Sequence, residues 1–451
     1  MNSKKIFLPF ICILLTILPA ACAPSGTGAA GTAIPPEETR EPAQASPTSA
    51  ILLTATPIPG LLPEDILDQG SAFCLPEVAD SSFTLTCEQG NLSVAQSEGR
   101  IKIDALLMRG QDVDAEQFNL EADVTSLASV DAKSDQNAYG FYFLDDDGAY
   151  KALRVQGQYF DFETWDTSAD PKVKTRLSQS FSPAIKYAGQ ENHLRLACTQ
   201  SSCELYVNET LVGRSQTGIT GKVQSNGIFT ASAWDELFGQ VTFRGLTLSD
   251  RDEAMPSFET YSLQDDLRAD TGSFSAIGMS GAFNSYSEAG FHFSPVIPYG
   301  YYSAKAGPAL QDVDVQATVT MDIEPDQPGS QYAGLVCRSS RDGMYMAVIG
   351  VDGTYTIYRD TPQKPFTLLA EKKSDAILTG AGAANALRLI CSGDTIDFHI
   401  NEQLVESLTD GRYLLNYGRA GIITKAGGDP NEDAIIFSDL SIEEIKTKEE
   451  S

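Results

Sequence analysis

"NHLRLACTQSSCELYVNETLV" occupies residues 192–212, and "NALRLICSGDTIDFHINEQLV" occupies residues 385–405. Nine of the twenty-one positions are identical without a gap, at a constant offset of 193. Within the first copy Leu194, Leu196 and Cys198, then Leu205 and Val207, alternate with polar residues. That is the two-residue period of a half-buried strand. Between the alternating runs stand Asn208-Glu209 and Asn401-Glu402. Asparagine tolerates the left-handed backbone that a tight hairpin needs. Each copy therefore predicts a β-hairpin.

The repeat extends outward from the hairpins. Gly227-Ile228 and Gly421-Ile422 match at an offset of 194, as do Val241 with Ile435, Phe243 with Phe437, and Leu246 with Leu440. Upstream, "FNLEADV" from Phe118 matches "VDVQATV" from Val313, and Gly140 matches Gly334. A period of about 190 residues means two domains and not a solenoid. The boundary falls in "DRDEAMPSF" at residues 250–258, giving domains at 64–252 and 253–445 and a tail at 446–451. Turn chemistry such as "DDDG" from Asp145 and "VDGT" from Val351 separates the short strands, and no capped helical pattern interrupts them. The expected fold is all-β, two tandem antiparallel β-sandwiches of the jelly-roll kind.

Three features recur in both copies: a hairpin of the form hydrophobic-x-hydrophobic-Asn-x-x-hydrophobic-Val, a following Gly-hydrophobic strand, and a final Phe-x-x-hydrophobic-x-hydrophobic strand. On these residues the chain, from Leu67 to Ile445, resembles the concanavalin A-like lectin/glucanase sandwich. The resemblance is to the laminin-G-like and 3-keto-disaccharide-hydrolase-like branch found in tandem in bacterial surface lipoproteins. It implies the fold, and a function among lectins, hydrolases and adhesion modules.

The N-terminus reads as an address. Lys4 and Lys5 precede an apolar run from Ile6 to Leu18, then Pro19-Ala20-Ala21 before Cys22. This is the pattern of an export signal at residues 1–21. The run is shorter than the roughly 20 residues that span a bilayer. The small residues before Cys22 resemble the lipobox of bacterial lipoproteins, although Pro19 stands where that motif usually has Leu. The resemblance implies acylation of Cys22; the alternative is ordinary cleavage after Ala23. Residues 22–63 are rich in Pro, Thr, Ser and Ala, without an apolar period, and read as a disordered tether. The expected location is outside the cell, lipid-anchored to the outer face of a bacterial membrane, at the cell surface or in the periplasm.

With 61 acidic against 32 basic residues, the chain has a formal net charge of -29. No basic stripe relieves it, so phosphate backbones are repelled and nucleic acid is excluded as a partner. Among the eight cysteines, Cys12 lies in the signal and Cys22 is taken by lipid or lost. The remaining six suit an oxidising compartment. Cys391 is the counterpart of Cys198, whereas Cys337 aligns with Phe143, so each copy needs its own partner. The expected pairs are Cys74 with Cys87, Cys198 with Cys203, and Cys337 with Cys391. Three histidines and no zinc-finger cysteine spacing argue against zinc.

Catalysis has weak support. Glucanases of this sandwich use acids at alternate positions of one strand, which share a face. Asp112, Asp114 and Glu116 form one such triplet and Asp322, Glu324 and Asp326 another, the latter interrupted by Pro325. About one triplet is expected by chance in a chain this acidic, and no serine-hydrolase elbow, zinc-protease motif or phosphate loop accompanies them. Asp145, Asp146 and Asp147 are calcium candidates through hard oxygens; a polar turn ending in Gly148 is the simpler reading. No other cofactor is expected. Glycan binding needs flat apolar faces and a few hydrogen-bonding groups. Trp165 with Asp166, and Trp234 with Asp235 and Phe238, are the stacking candidates in the first copy; Tyr299, Tyr301 and Tyr302 of "PYGYYS" are those of the second. The function expected is a surface-tethered, non-catalytic carbohydrate-binding or adhesion lipoprotein. A glycoside-processing enzyme is the runner-up, followed by a spacer without a ligand.

Overall fold

A computed structural model of the protein describes residues 78–79, 83–88, 91–96, 100–104, 117–127, 137–165, 173–232, 239–250, 260–276, 282–295, 300–322, 331–411, 415–425 and 435–446. The signal, Cys22 and the tether lie outside these residues, as do Cys74 and hence its expected bond to Cys87. Among the described residues there are strands and turns and no helix.

Each half is an antiparallel sandwich with its own core. In the first, the larger sheet runs in the order Val78–Ala79, Phe83–Glu88, Asn91–Gln96, Gly239–Asp250, Gln117–Leu127, Glu191–Thr199, Cys203–Val207, Thr210–Ser215. The smaller runs Ser180–Phe181, Tyr159–Trp165, Tyr150–Gln156, Asn137–Leu144, Ser225–Ser232, Arg100–Asp104, with Val173–Arg176 also paired to Tyr159–Trp165. In the second half the larger sheet is Ala282–Ser287, Gly290–Pro295, Ile435–Glu444, Val313–Met321, Ala383–Ser392, Thr395–Ile400, Gln403–Thr409, with Ser262–Asp265 on Ile435–Glu444. Its smaller sheet is Phe274–Ala276, Tyr301–Leu310, Gly418–Lys425, Tyr332–Ser339, Met344–Gly350, Thr354–Thr361, Lys364–Lys373. Alternation sends Leu120, Phe141, Leu153, Leu196 and Leu205 into one core, and Val315, Leu335, Ala347, Leu389 and Phe398 into the other.

The repeated letters of the opening hairpins have a physical cause. Asn208 and Glu209 have φ of 48 and 66, and Asn401 and Glu402 have 49 and 68, so both turns use the left-handed backbone. Asn192 Oδ1 accepts from Lys186 N at 2.8 Å and from Asn208 Nδ2 at 3.0 Å. Asn208 Nδ2 also donates to Ala184 O at 2.7 Å. The second copy repeats this: Asn385 Oδ1 accepts from Leu378 N at 2.8 Å and Asn401 Nδ2 at 3.0 Å, and Asn401 Nδ2 donates to Ala376 O at 2.8 Å. A buried amide and a half-buried one thus stitch the preceding loop to the hairpin in each half, satisfying backbone groups that would otherwise be stranded. Gly140 and Gly334 recur for a steric reason: a Cβ would lie 1.9 Å from Leu153 O or 2.0 Å from Ala347 O.

Two expected disulfides are present. Cys198–Cys203 clips neighbouring strands of the first hairpin, and Cys337–Cys391 joins the two sheets of the second sandwich.

The halves are fused more closely than a linker would make them. Gly213 pairs in parallel with Ala309, joining the larger sheet of the first half to the smaller sheet of the second. Tyr417 is fully buried, edge-on to Phe160 and Phe162 of the first core, with ring centroids at 6.2 and 6.1 Å. Gly213 is required there, since a Cβ would lie 2.1 Å from the Tyr417 hydroxyl. Arg214 reaches across, pairing with Glu204 and with Glu444 at 2.5 Å.

Candidate functional site

The outward faces of the two smaller sheets carry the residues of interest. On the first, Tyr142, Phe229 and Trp165 alternate with core residues and so lie on the face turned away from the main core. Trp165 is 0% exposed, packed edge-on to Phe229 with centroids 4.8 Å apart, and its indole N–H donates to Glu163 Oε2 at 2.8 Å. As a stacking platform Trp165 is therefore corrected. Both of its faces and its donor are used inside the protein.

Beside it lies a charged cluster that the sequence reading missed. Asp161 faces Arg154 across the strand pair, at 3.1 Å, and Arg176 approaches Asp161 at 2.8 Å; Glu163 lies 3.7 Å from Arg154. Asp161 and Glu163 share a face because they are two residues apart on one strand. Burial raises the Asp161 carboxyl to about 6 against the pull of Arg154, and the charge of Glu163 pushes the same way. The side chains of Asp161 and Glu163 are 0% and 2% exposed, so the arrangement keeps substrate from both carboxyls.

A pH prediction follows from the sign of that shift. Asp161 holds its proton to a higher pH in the folded chain than in the unfolded one, so it favours folding most at low pH, and the contribution is lost as pH rises through about 6. Asp161→Asn removes that dependence. Denaturant titrations should show wild type losing about 2 kcal/mol relative to Asp161→Asn between pH 4.5 and pH 7.5. A constant difference between the two proteins would refute the buried-acid assignment.

The three consecutive aspartates are also accounted for. Asp145 pairs with Lys151 at 2.6 Å and accepts from Thr220 N at 2.6 Å. Asp146 accepts from Lys222 N and Gln224 Nε2, both at 2.9 Å, and Asp147 lies 3.0 Å from Lys151. The lysine ammonium thus meets Asp145 and Asp147, and neutral N–H donors meet Asp146, as the simpler reading of a polar turn requires. Among the described residues no group of three acids, histidines or cysteines is placed to hold a metal.

The second face has the same parity and a different chemistry. Registers align Ala152–Glu163 of the first half with Met346–Tyr358 of the second, and Arg154–Asp161 with Val348–Thr356. The charged cluster is thus replaced by an apolar floor of Val336, Met346, Val348 and Ile423. Over it stand Tyr301, Tyr332, Tyr358 and Met344, all half-buried, and Phe366, 43% exposed. Tyr301 stacks on Phe366 with centroids 4.7 Å apart, and Tyr358 meets Phe366 edge-on at 6.5 Å. Lys425 pairs in register with both Tyr301 and Tyr332, its ammonium 5.5 and 5.2 Å from their rings. Burial, then the neighbouring Tyr358 and Tyr332, push the Tyr301 hydroxyl well above its usual range, keeping it a neutral donor. The face is an amphipathic aromatic array with the Lys425 ammonium set among the rings.

Of the sequence candidates, Tyr301 belongs to this array. Tyr302 is 2% exposed in the core behind it, one strand position out of phase, and is corrected as a ligand contact. Tyr299, Asp166, Trp234, Asp235, Phe238, Asp112, Asp114 and Glu116 lie outside the described residues, as do Glu324 and Asp326. Tyr332, Tyr358, Phe366 and Lys425 were missed. Their signal is the outward position each holds on its strand, visible once the sheet register is known.

No family model matches the chain, and no curated protein matches it. Among solved structures it is similar to the carbohydrate-binding module CBM66 from Bacillus subtilis, at 16% identity and TM-score 0.29, over 36% of this chain and 92% of that one. A protein of unknown function with a galectin-like fold from Bacillus subtilis matches at 14% identity and TM-score 0.33, over 40% and 94%. Domains LG4-5 of the mouse laminin alpha1 chain match at 11% identity and TM-score 0.25, over 83% and 91%.

Proposed function

We propose that the protein is a non-catalytic carbohydrate-binding module whose ligand lies on the outward aromatic face of the second sandwich. The observation that carries this reading is the array itself: Tyr301, Tyr332, Tyr358 and Phe366 gathered from four strands, partly open, with hydroxyls and the Lys425 ammonium between the rings. Sugar rings present C–H faces that stack on aromatics and hydroxyls that pair with such groups. Catalysis is not favoured at the paired carboxylates of the first face, because Asp161 and Glu163 are closed and held by arginines. Binding at this face is independent of whether Cys22 carries lipid.

A glycan array followed by calorimetry on its best hit tests the reading. Tyr358→Ala and Tyr332→Ala should each weaken binding by about tenfold, the loss of one aromatic stacking contact, with far-UV circular dichroism unchanged. Tyr150→Ala on the first half should leave affinity alone. A blank array, or affinity unmoved by both tyrosine variants, would remove this face from consideration.

A further inference from the structure

The same face holds a second feature that the aromatic array does not use. Tyr301, Ser303 and Lys305 share the outward side of strand Tyr301–Leu310, since Tyr302, Ala304 and Ala306 between them enter the core. Lys305 is half-buried and pairs in register with Gly421, which in turn pairs with Val336. Neither neighbour offers an acid, and a side chain at Gly421 is excluded because a Cβ would lie 2.0 Å from Ala304 O. Among the described residues no carboxylate pairs with the Lys305 ammonium. The backbone of the same strand is held by another cation: Arg419 donates from Nη2 to the Lys305 carbonyl at 2.9 Å and from Nε to Gly307 O at 2.9 Å. Burial, then the charge of Arg419, draws the Lys305 ammonium down to about 8. One pleat along, Ser303 is 4% exposed and its hydroxyl has no hydrogen-bond partner among the described residues.

A half-buried ammonium near a second cation with no carboxylate paired to it, and a buried hydroxyl without an acceptor among the described residues, are each unfavourable by themselves. They are unexpected in a chain with 61 acidic and 32 basic residues, where an acid at a neighbouring position would relieve both. One oxygen-rich anion placed on this face answers the two at once, accepting from the ammonium and from the hydroxyl. We propose that the aromatic face of the second sandwich includes a subsite for a single anionic group, a carboxylate or a sulfate ester, carried by the saccharide it binds and held by Lys305 with Ser303 beside it. The proposal rests on the saccharide-binding role of this face. A long polyanion is not the ligand, because the net charge of -29 repels one. The fitting class is a largely neutral saccharide with an isolated acidic residue.

Calorimetry with matched probes tests the subsite: an aldobiouronic acid, one glucuronic acid on a neutral sugar, against its methyl ester, and lactose 6-sulfate against lactose, on the full chain at fixed salt. Wild type should prefer the charged member of at least one pair by tenfold or more, and the pair that responds separates carboxylate from sulfate. Lys305→Met should abolish the preference while keeping affinity for the neutral member, and Lys305→Arg should retain it. Lys305→Met should unfold at the same temperature as wild type or higher, since it removes a cation beside Arg419. Equal affinity for charged and neutral members in wild type, or a preference that survives Lys305→Met, overturns the subsite and leaves the aromatic face standing. If none of the four probes binds and the glycan array is blank as well, the saccharide role falls and the subsite with it.

Discussion

Replacing Cys337 and Cys391 together by alanine should destabilise the second sandwich by about 4 kcal/mol, whereas replacing Cys198 and Cys203 should cost about 2 kcal/mol. The difference is one of loop length. Cys337 and Cys391 are 54 residues apart and the other pair 5, so the first bond removes more freedom from the unfolded chain. Location adds to it: Cys337 and Cys391 are both 0% exposed, one on each sheet, so the bond holds the two layers together through the core. Cys198 and Cys203 face each other in a register the hairpin already fixes. For a domain of this size 4 kcal/mol lowers the midpoint of thermal unfolding by about 10 °C. Guanidinium titration of the two double variants decides the matter. Equal losses, or a larger loss at Cys198 and Cys203, would show that chain entropy is not what the longer bond supplies.

The fold was legible because the physics that makes it is local. Alternation at Leu194, Leu196 and Cys198 assigns strand and face together, and Asn208 and Asn401 announce turns that use the left-handed backbone. Even the repetition of Asn192 as Asn385 has a local cause, the amide stitch between loop and hairpin. The site was less legible because it is assembled by register. Tyr301, Tyr332, Tyr358 and Phe366 come from four strands, and no spacing in the chain brings them together. Composition misled at Trp165: a rare aromatic present in one copy suggested a ligand platform, yet the position supports a buried cluster with Tyr142 and Phe229. Tyr302 failed for a smaller reason, a single step of parity between two adjacent tyrosines. The fusion of the halves was invisible for the same cause as the site, since Gly213 and Tyr417 acquire their roles only on contact.

That contact supports the second large effect. Arg214 should be the residue on which cooperation between the halves depends. Its side chain is 7% exposed, and it bridges Glu204 of the first sandwich and Glu444 of the second, whose side chains are 2% and 4% exposed. Glu204 keeps a donor if the arginine is lost, the Tyr206 hydroxyl at 2.8 Å, and Glu444 keeps Tyr261 N at 3.2 Å. Neither supplies a compensating charge. Removing one member of a buried ionic group leaves uncompensated charge and costs about 3–5 kcal/mol, whereas replacing the whole group by neutral side chains can cost little. Arg214→Met should therefore split a single calorimetric unfolding transition into two, the loss falling on the contact between the sandwiches and not on either core. Glu204→Gln with Glu444→Gln in the same background should recover most of the lost stability, because the stranded charges are then gone. If Arg214→Met keeps one transition and changes stability by less than about 0.5 kcal/mol, the halves are coupled without it, through the Gly213–Ala309 strand pairing and Tyr417 with its apolar neighbours.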